Sequence, residues 1–129
     1  MQRIILIADG EPRLREILAG HELVLVRTLE DAQRAVERMR FDMIVVAVHF
    51  DDSRMFDLLR HLQASGRHGA APVVCVRSQQ FASPAIGIEG LEIATKALGA
   101  RLFLDLTRYA EDEQGNAAVR RRLEALLSS

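Results

Sequence analysis

Tryptophan is absent from this 129-residue chain, and cysteine appears once, at Cys75. A single thiol excludes a disulfide framework and a thiolate metal site, and Cys75 itself reads as a small core residue. Aromatic residues make up 5% of the sequence, so any core must be aliphatic. No apolar run approaches the length needed to cross a bilayer. The opening MQRIILIADG carries one early arginine and a six-residue apolar run. That run is too short for a signal-peptide core and lacks a small-residue cleavage site. Neither sign of charge dominates, the formal net charge being −1. The arginines are spread along the chain apart from Arg120-Arg121-Arg122, so the clustered basic face that nucleic acid requires is missing. There is no GxGxxG and no Gly-Lys-Ser/Thr phosphate loop. His21, His61 and His68 lack metal-ligand spacing, and His49, alone in an apolar strand, reads as a packed residue. No Ser-His-Asp or Cys-His pairing is legible. These absences set the expectations: a cytoplasmic protein or one domain of a longer chain, not an enzyme. It would have no metal, no cofactor, and no direct contact with nucleic acid or membrane.

What is present is apolar material for one core, 49% of the residues, in a chain the length of one domain, 1–129. The stretch Phe41–Arg60, FDMIVVAVHFDDSRMFDLLR, reads as a buried strand, an acidic loop and the start of a helix. Its continuous apolar half suits a strand covered on both faces, and Asp51-Asp52 then stand at the strand's C-terminal end, where open α/β sheets place their ligands. The same unit recurs. Arg3–Ala8 is a strand, followed by an acidic turn and a helix entered at Pro12 with Leu14, Ile17 and Leu18 inward. His21–Arg27 is a strand, and Thr28 caps a helix with Leu29, Ala32, Val36 and Met39 on its apolar stripe. After the strand Met43–Phe50, Ser53 is expected to cap a helix carrying Met55, Leu58, Leu59 and Leu62 inward and ending by Ser65-Gly66. Pro72–Val76 is a strand, Arg77–Pro84 a loop, Gly87–Leu98 a helix stopped by Gly99. Leu102–Leu106 is a strand, Glu111–Asn116 a polar turn, and Ala117–Leu127 the last helix. Five strands alternating with five helices predict βαβ units, a parallel sheet and helices on both faces.

The loops narrow the reading. RIILIADGEP resembles the opening strand and acidic turn of the receiver domain of bacterial two-component response regulators. FDMIVVAVHFDDSRMFDLLRHL resembles that family's central segment, with Asp42 and Leu58-Leu59-Arg60 in register at its two ends. APVVCVRS resembles the fourth strand and GARLFLDLT the fifth. The resemblance spans nearly the whole chain. It implies a doubly wound, flavodoxin-like α/β domain in three layers, with a five-stranded parallel sheet in order 2-1-3-4-5. The stretch from Arg77 to Phe103 is longer than in the family, so the fourth helix and its leading loop are expected to differ.

Carried over position by position, the resemblance implies that the chemistry is gone. The family's phosphoacceptor aspartate at the end of the third strand is matched by Ala47. The acidic pair that helps hold Mg²⁺ is matched by Asp9 and Gly10, with Glu11 next. Arg77 stands at the switch Ser/Thr, Leu106 at the phosphate-binding lysine, Thr107 at the following proline, and Phe103 at the aromatic switch. The implied protein is a pseudo-receiver with a degenerate pocket of Asp9, Glu11, Asp51, Asp52 and Arg77. Arg77 either bridges to Asp9, a permanent cation in place of a lost metal, or points to solvent. Asp51 and Asp52 read as a solvated loop and helix cap. In the family, the fourth helix, fifth strand and fifth helix form the partner or dimer face, which implies Lys96, Arg101, Phe103, Arg108, Tyr109 and Arg120 here. The expected function is phosphorylation-independent binding of a protein partner or of a second copy. Two alternatives stand beside it: a receiver phosphorylated at a displaced Asp51 or Asp52, and a small-molecule binder at the sheet's C-terminal edge.

Overall fold

The structure, a computed structural model, describes residues 3–8, 12–66, 71–78 and 87–127. Five strands, β1 Ile4–Ala8, β2 Glu22–Val26, β3 Met43–Ala47, β4 Val73–Arg77 and β5 Leu102–Asp105, pair in parallel in the order β2-β1-β3-β4-β5. The crossovers are the helices α1 Pro12–Ile17, α2 Leu29–Arg38, α4 Met55–Ser65 and α5 Ile88–Ala97; α3 is a four-residue turn, Phe50–Ser53, and α6 Glu113–Leu127 closes the chain. This is the doubly wound α/β order expected, with one short extra helix. The central strands β1, β3 and β4 are nearly continuous in Ile, Leu and Val because helices cover both faces. Alternate residues feed two separate apolar clusters. Leu6, Ile44, Val46, Cys75 and Phe103 pack toward α2, α4 and α5. Ile5, Ile7, Val45, Ala47, Val74, Val76 and Leu104 pack toward α1 and α6. Cys75 lies wholly buried, and burial pushes its thiol up to about 12, so it is inert core material. No helix among the described residues is long and apolar enough to cross a membrane.

Several boundaries fall where the side chains direct. Thr28 caps α2 by accepting from the Asp31 N–H at 3.1 Å. Gly66 ends α4 in the left-handed conformation, φ 61°. Met39, expected on the inward stripe, is instead the C-cap of α2 and exposed, because its extended φ and ψ carry the chain out of the helix. Ser53 does not cap α4. It has φ 68° and comes after Asp51 and Asp52, with φ 47° and 55°, in a left-handed run, so Arg54 takes the cap position without a side-chain bond. The fifth strand stops one residue early, at Asp105, and Leu106–Arg108 turn into a 3-10 helix. The last helix starts four residues before the expected Ala117. EDEQGN reads as a turn because of its glycine, but the Asp112 carboxylate accepts from the Gly115 N–H at 2.8 Å and stabilises the first turn.

Gly115 is required for packing rather than for flexibility. A Cβ there would stand 1.9 Å from the Ala110 carbonyl oxygen and 2.8 Å from its carbon, both backbone atoms that cannot rotate away. Gly→Ala inside a helix ordinarily stabilises by about 1 kcal/mol; here the clash reverses the sign. Gly115→Ala is expected to destabilise the fold by about 1–3 kcal/mol, the usual cost of overpacking, read as a lower urea midpoint. An unchanged or raised midpoint would show that the loop before α6 yields freely.

Candidate functional site

The C-terminal edge of the sheet is built from the ends of β3, β4 and β5 and the segments just beyond them. Ala47 ends β3, pairs in register with Val76 of β4, and is 1% exposed. Its methyl group belongs to the same apolar cluster as Leu106, which is fully buried just past β5. The two positions that the family resemblance assigns to a carboxylate and a lysine are therefore both apolar and packed in one cluster. Burying a leucine of this kind stabilises by roughly 1.5–3 kcal/mol, so Leu106 contributes to the core at a point where a lysine would be a buried charge.

Polar chemistry at this edge is concentrated one strand further over. In-register pairing sets Arg77 opposite Asp105, so both side chains leave the same face of the sheet. The Arg77 Nη1 donates to Asp105 Oδ2 at 2.9 Å, with side-chain exposures of 13% and 7%. The other carboxylate oxygen, Oδ1, accepts from the Thr107 N–H at 3.1 Å and the Thr107 hydroxyl at 2.6 Å, which caps the 3-10 turn. Arg77 Nη1 also reaches Thr107 Oγ1 at 3.4 Å, and Arg108 Nε lies 3.7 Å from Asp105 Oδ2. The two buried charges, Arg77 and Asp105, compensate one another within the protein, as a buried ion pair requires, while Arg108 stays exposed to solvent. Of the two placements expected for Arg77, solvent is excluded by its burial; the partner found is Asp105, and Asp9 and Glu11 lie outside the described residues. His49, half-buried two residues beyond Ala47, feels the same guanidinium. Burial first, and the Arg77 charge second, hold its pKa below the ordinary histidine value, so it is neutral at pH 7.

Asp51 serves a different purpose from the one expected. Its Oδ2 accepts from the Leu29 N–H at 2.7 Å, so it caps the neighbouring helix α2 rather than α4, the next in the chain. The left-handed run Asp51–Ser53 costs on the order of 1–2 kcal/mol per residue, offset in part by that cap and by Phe50, which is buried. Asp52 is exposed.

A second cation, Arg13 in the first turn of α1, ties the far side of the edge together. Its Nε donates to Asn116 Oδ1 at 2.9 Å, Nη1 to the Leu106 carbonyl at 3.0 Å, and Nη2 to the carbonyls of Tyr109 at 3.0 Å and Ala110 at 2.7 Å. One guanidinium thus holds the whole β5–α6 connection. Sequence reasoning missed Arg13 and Asp105. Asp105 did carry a signal, a lone acid in the apolar strand LFLDL; Arg13 carried none, because its partners, three backbone carbonyls and the Asn116 side chain, are distant in sequence.

The expected partner face divides. Lys96, paired with Glu92 at 3.1 Å, Arg101 and Arg108 are exposed. Phe103 is not: at 7% exposure it packs under α5 and offers no surface. Arg120 turns toward α1, donating to the Ile17 carbonyl at 2.6 Å and to that of Glu16 at 3.4 Å, where it satisfies the helix C-terminus. Tyr109 is half-buried and accepts at its hydroxyl from Arg122 Nη1 at 3.1 Å.

No protein-family model and no curated protein sequence matches the chain. Solved structures match its shape. A response regulator from Chloroflexus aurantiacus superposes with a TM-score of 0.78 at 17% identity, covering 100% of both chains. The receiver domain of a sensor histidine kinase from Pseudomonas aeruginosa, whose structure has a magnesium ion coordinated in the active-site cleft, gives 0.71 at 19% identity over 100% of both chains. The phosphorylated cyanobacterial phytochrome response regulator gives 0.76 at 14% identity, covering 100% of this chain and 96% of that one. The chain has the receiver-domain fold. Its described residues do not fit the divalent ion that the Pseudomonas domain holds. The Ala47 side chain has no ligand atom, Asp105 is engaged by Arg77 and Thr107, and no group of three His, Cys, Asp or Glu side chains among the described residues converges as a hard cation requires.

Arg77→Met leaves Asp105 buried beside Thr107 with only the exposed Arg108, 3.7 Å away, as a cation, and is expected to cost about 3 kcal/mol in urea unfolding. Pairing it with Asp105→Leu should recover much of that loss. In the single variant the His49 imidazole should titrate higher than in the parent by NMR, yet below the ordinary value, because burial, the larger cause, remains. The neutral imidazole favoured in the fold also predicts stability lost as pH falls below the ordinary histidine value, where the unfolded chain takes up the proton first. Unchanged stability in Arg77→Met would show that the pair carries little.

Proposed function

We propose that this chain is a degenerate receiver, acting in signal transduction as a phosphorylation-independent protein-protein interaction module in the cytoplasm. The observation that carries the reading is the paired loss at the sheet edge: Ala47 and Leu106, side chains of one apolar cluster, stand where receivers place the phosphoacceptor and its lysine. Phosphotransfer in a receiver is a balance of charges, and a lysine without a phosphoryl group to meet would be an uncompensated buried cation. Both losses together are what retirement of the chemistry predicts. The Arg77–Asp105 pair supports the same reading, since it supplies a fixed internal charge pattern that needs neither metal nor phosphate. The protein is not an enzyme, and its output is a surface held in one state. A displaced acceptor at Asp51 is disfavoured by that carboxylate's engagement with the α2 backbone.

Incubation with acetyl phosphate and Mg²⁺ and then intact mass measurement is expected to show no added phosphoryl group. A single adduct lost in Asp51→Asn or Asp52→Asn would overturn the proposal in favour of displaced phosphotransfer.

A further inference from the structure

At the N-terminal edge of the sheet, away from Ala47 and Arg77, one histidine joins three parts of the chain. His21 follows α1 and leads into β2, and its side chain is 11% exposed. Its Nδ1 accepts from the Arg3 N–H at 3.2 Å, at the entrance to β1. Its Nε2 meets Glu124 Oε1 of α6 at 3.2 Å. A peptide N–H can only donate, so Nδ1 presents its lone pair and the ring proton sits on Nε2, directed at the carboxylate. Each ring nitrogen therefore has a fixed role. A second proton has one place to go, Nδ1, and there it meets the Arg3 N–H donor against donor.

The charged groups around the ring define what proton uptake does. On α6, Glu124 is the acid in contact with it, and Arg120, one turn earlier, is committed to the carbonyls of Ile17 and Glu16. At the entrance to β1 the Arg3 guanidinium lies 3.8 Å from Asp42 Oδ1, and Asp42 Oδ2 accepts from the Ile4 N–H at 2.9 Å. Glu22, next along the chain, and Glu16 of α1 are exposed. Protonation turns the Nε2–H contact with Glu124 into an ion pair and removes the acceptor that holds the Arg3 N–H. The Arg3 carbonyl still accepts from the Glu22 N–H at 2.8 Å, so the register of β1 and β2 survives. We propose that His21 is a proton-operated latch: neutral, it ties the entrance of β1 to α6 through its ring; protonated, it releases the Arg3 N–H and grips α6 more strongly. This input needs neither phosphate nor metal, so it stands whether or not the far edge of the sheet is retired from phosphotransfer.

The test is nitrogen-15 NMR of the full chain in phosphate-free buffer, from about pH 8 to about pH 5, where a histidine charge can change. Two-bond nitrogen–proton couplings should show the Nε2–H tautomer of His21 at the upper end. As the ring titrates, the Arg3 amide should shift with the same midpoint. Its hydrogen-exchange protection, taken relative to the intrinsic rate at each pH, should fall by about fivefold to tenfold, the worth of one backbone bond. His21→Asn keeps an acceptor near the Nδ1 position that takes up no proton, and should abolish the step at Arg3. Glu124→Gln keeps an acceptor for the Nε2–H and should leave the step in place. An Nδ1–H tautomer at the upper end, or an Arg3 amide indifferent to the His21 titration, would overturn the proposal. So would a step that survives His21→Asn, since it would then belong to Asp42. The titration of the parent chain decides the matter by itself where His21→Asn does not fold.

Discussion

The ion pair between Arg77 and Asp105 is the constraint around which the C-terminal edge of this sheet is arranged. Parallel register places the two residues opposite one another at the ends of β4 and β5. Burial makes the attraction strong and makes the loss of either partner costly. Asp105 then directs the path of the chain beyond it: by accepting from the Thr107 backbone and hydroxyl it turns the chain into a 3-10 helix as soon as β5 ends. That turn buries Leu106 against the cluster containing Ala47. A charge pair on one face of the sheet and an apolar contact on the other therefore depend on the same short segment.

Arg13 completes the arrangement from α1. Its five-donor planar head matches a curved row of carbonyls, which a lysine's single ammonium could not serve at once. With the Leu106, Tyr109 and Ala110 carbonyls held, and Ala110 also pressed against Gly115, the β5–α6 connection has little freedom. In the proposed reading, a segment that a receiver would use to respond to phosphate is here tied down by two arginines.

Most of the architecture was legible because helix and strand periodicities are local and strong. The valine- and isoleucine-rich runs identified the buried strands, and Thr28 announced its helix. The errors arose where a residue's role is set by something distant in sequence. Ser53 seemed a cap because serine usually is one, but the left-handed run before it takes the chain elsewhere. Gly115 seemed to mark a turn, whereas its missing Cβ makes room for Ala110. Arg77 is legible as a cation at the edge, but its partner depends on strand register, which periodicity alone does not fix. Phe103 and Arg120 were placed on a partner face by resemblance; the pleat turns one inward, and helical phase turns the other toward α1.

The reading of a retired phosphotransfer site held by fixed charges is tested most directly by amide and imidazole NMR shifts, recorded with and without Mg²⁺ and beryllofluoride, a mimic of the phosphoryl group. The expected spectrum is unchanged at Ala47, His49, Arg77, Asp105 and Thr107. Saturable shifts at those residues, spreading to Tyr109 and α6, would contradict it and show that the edge still binds and responds to a phosphoryl-like anion.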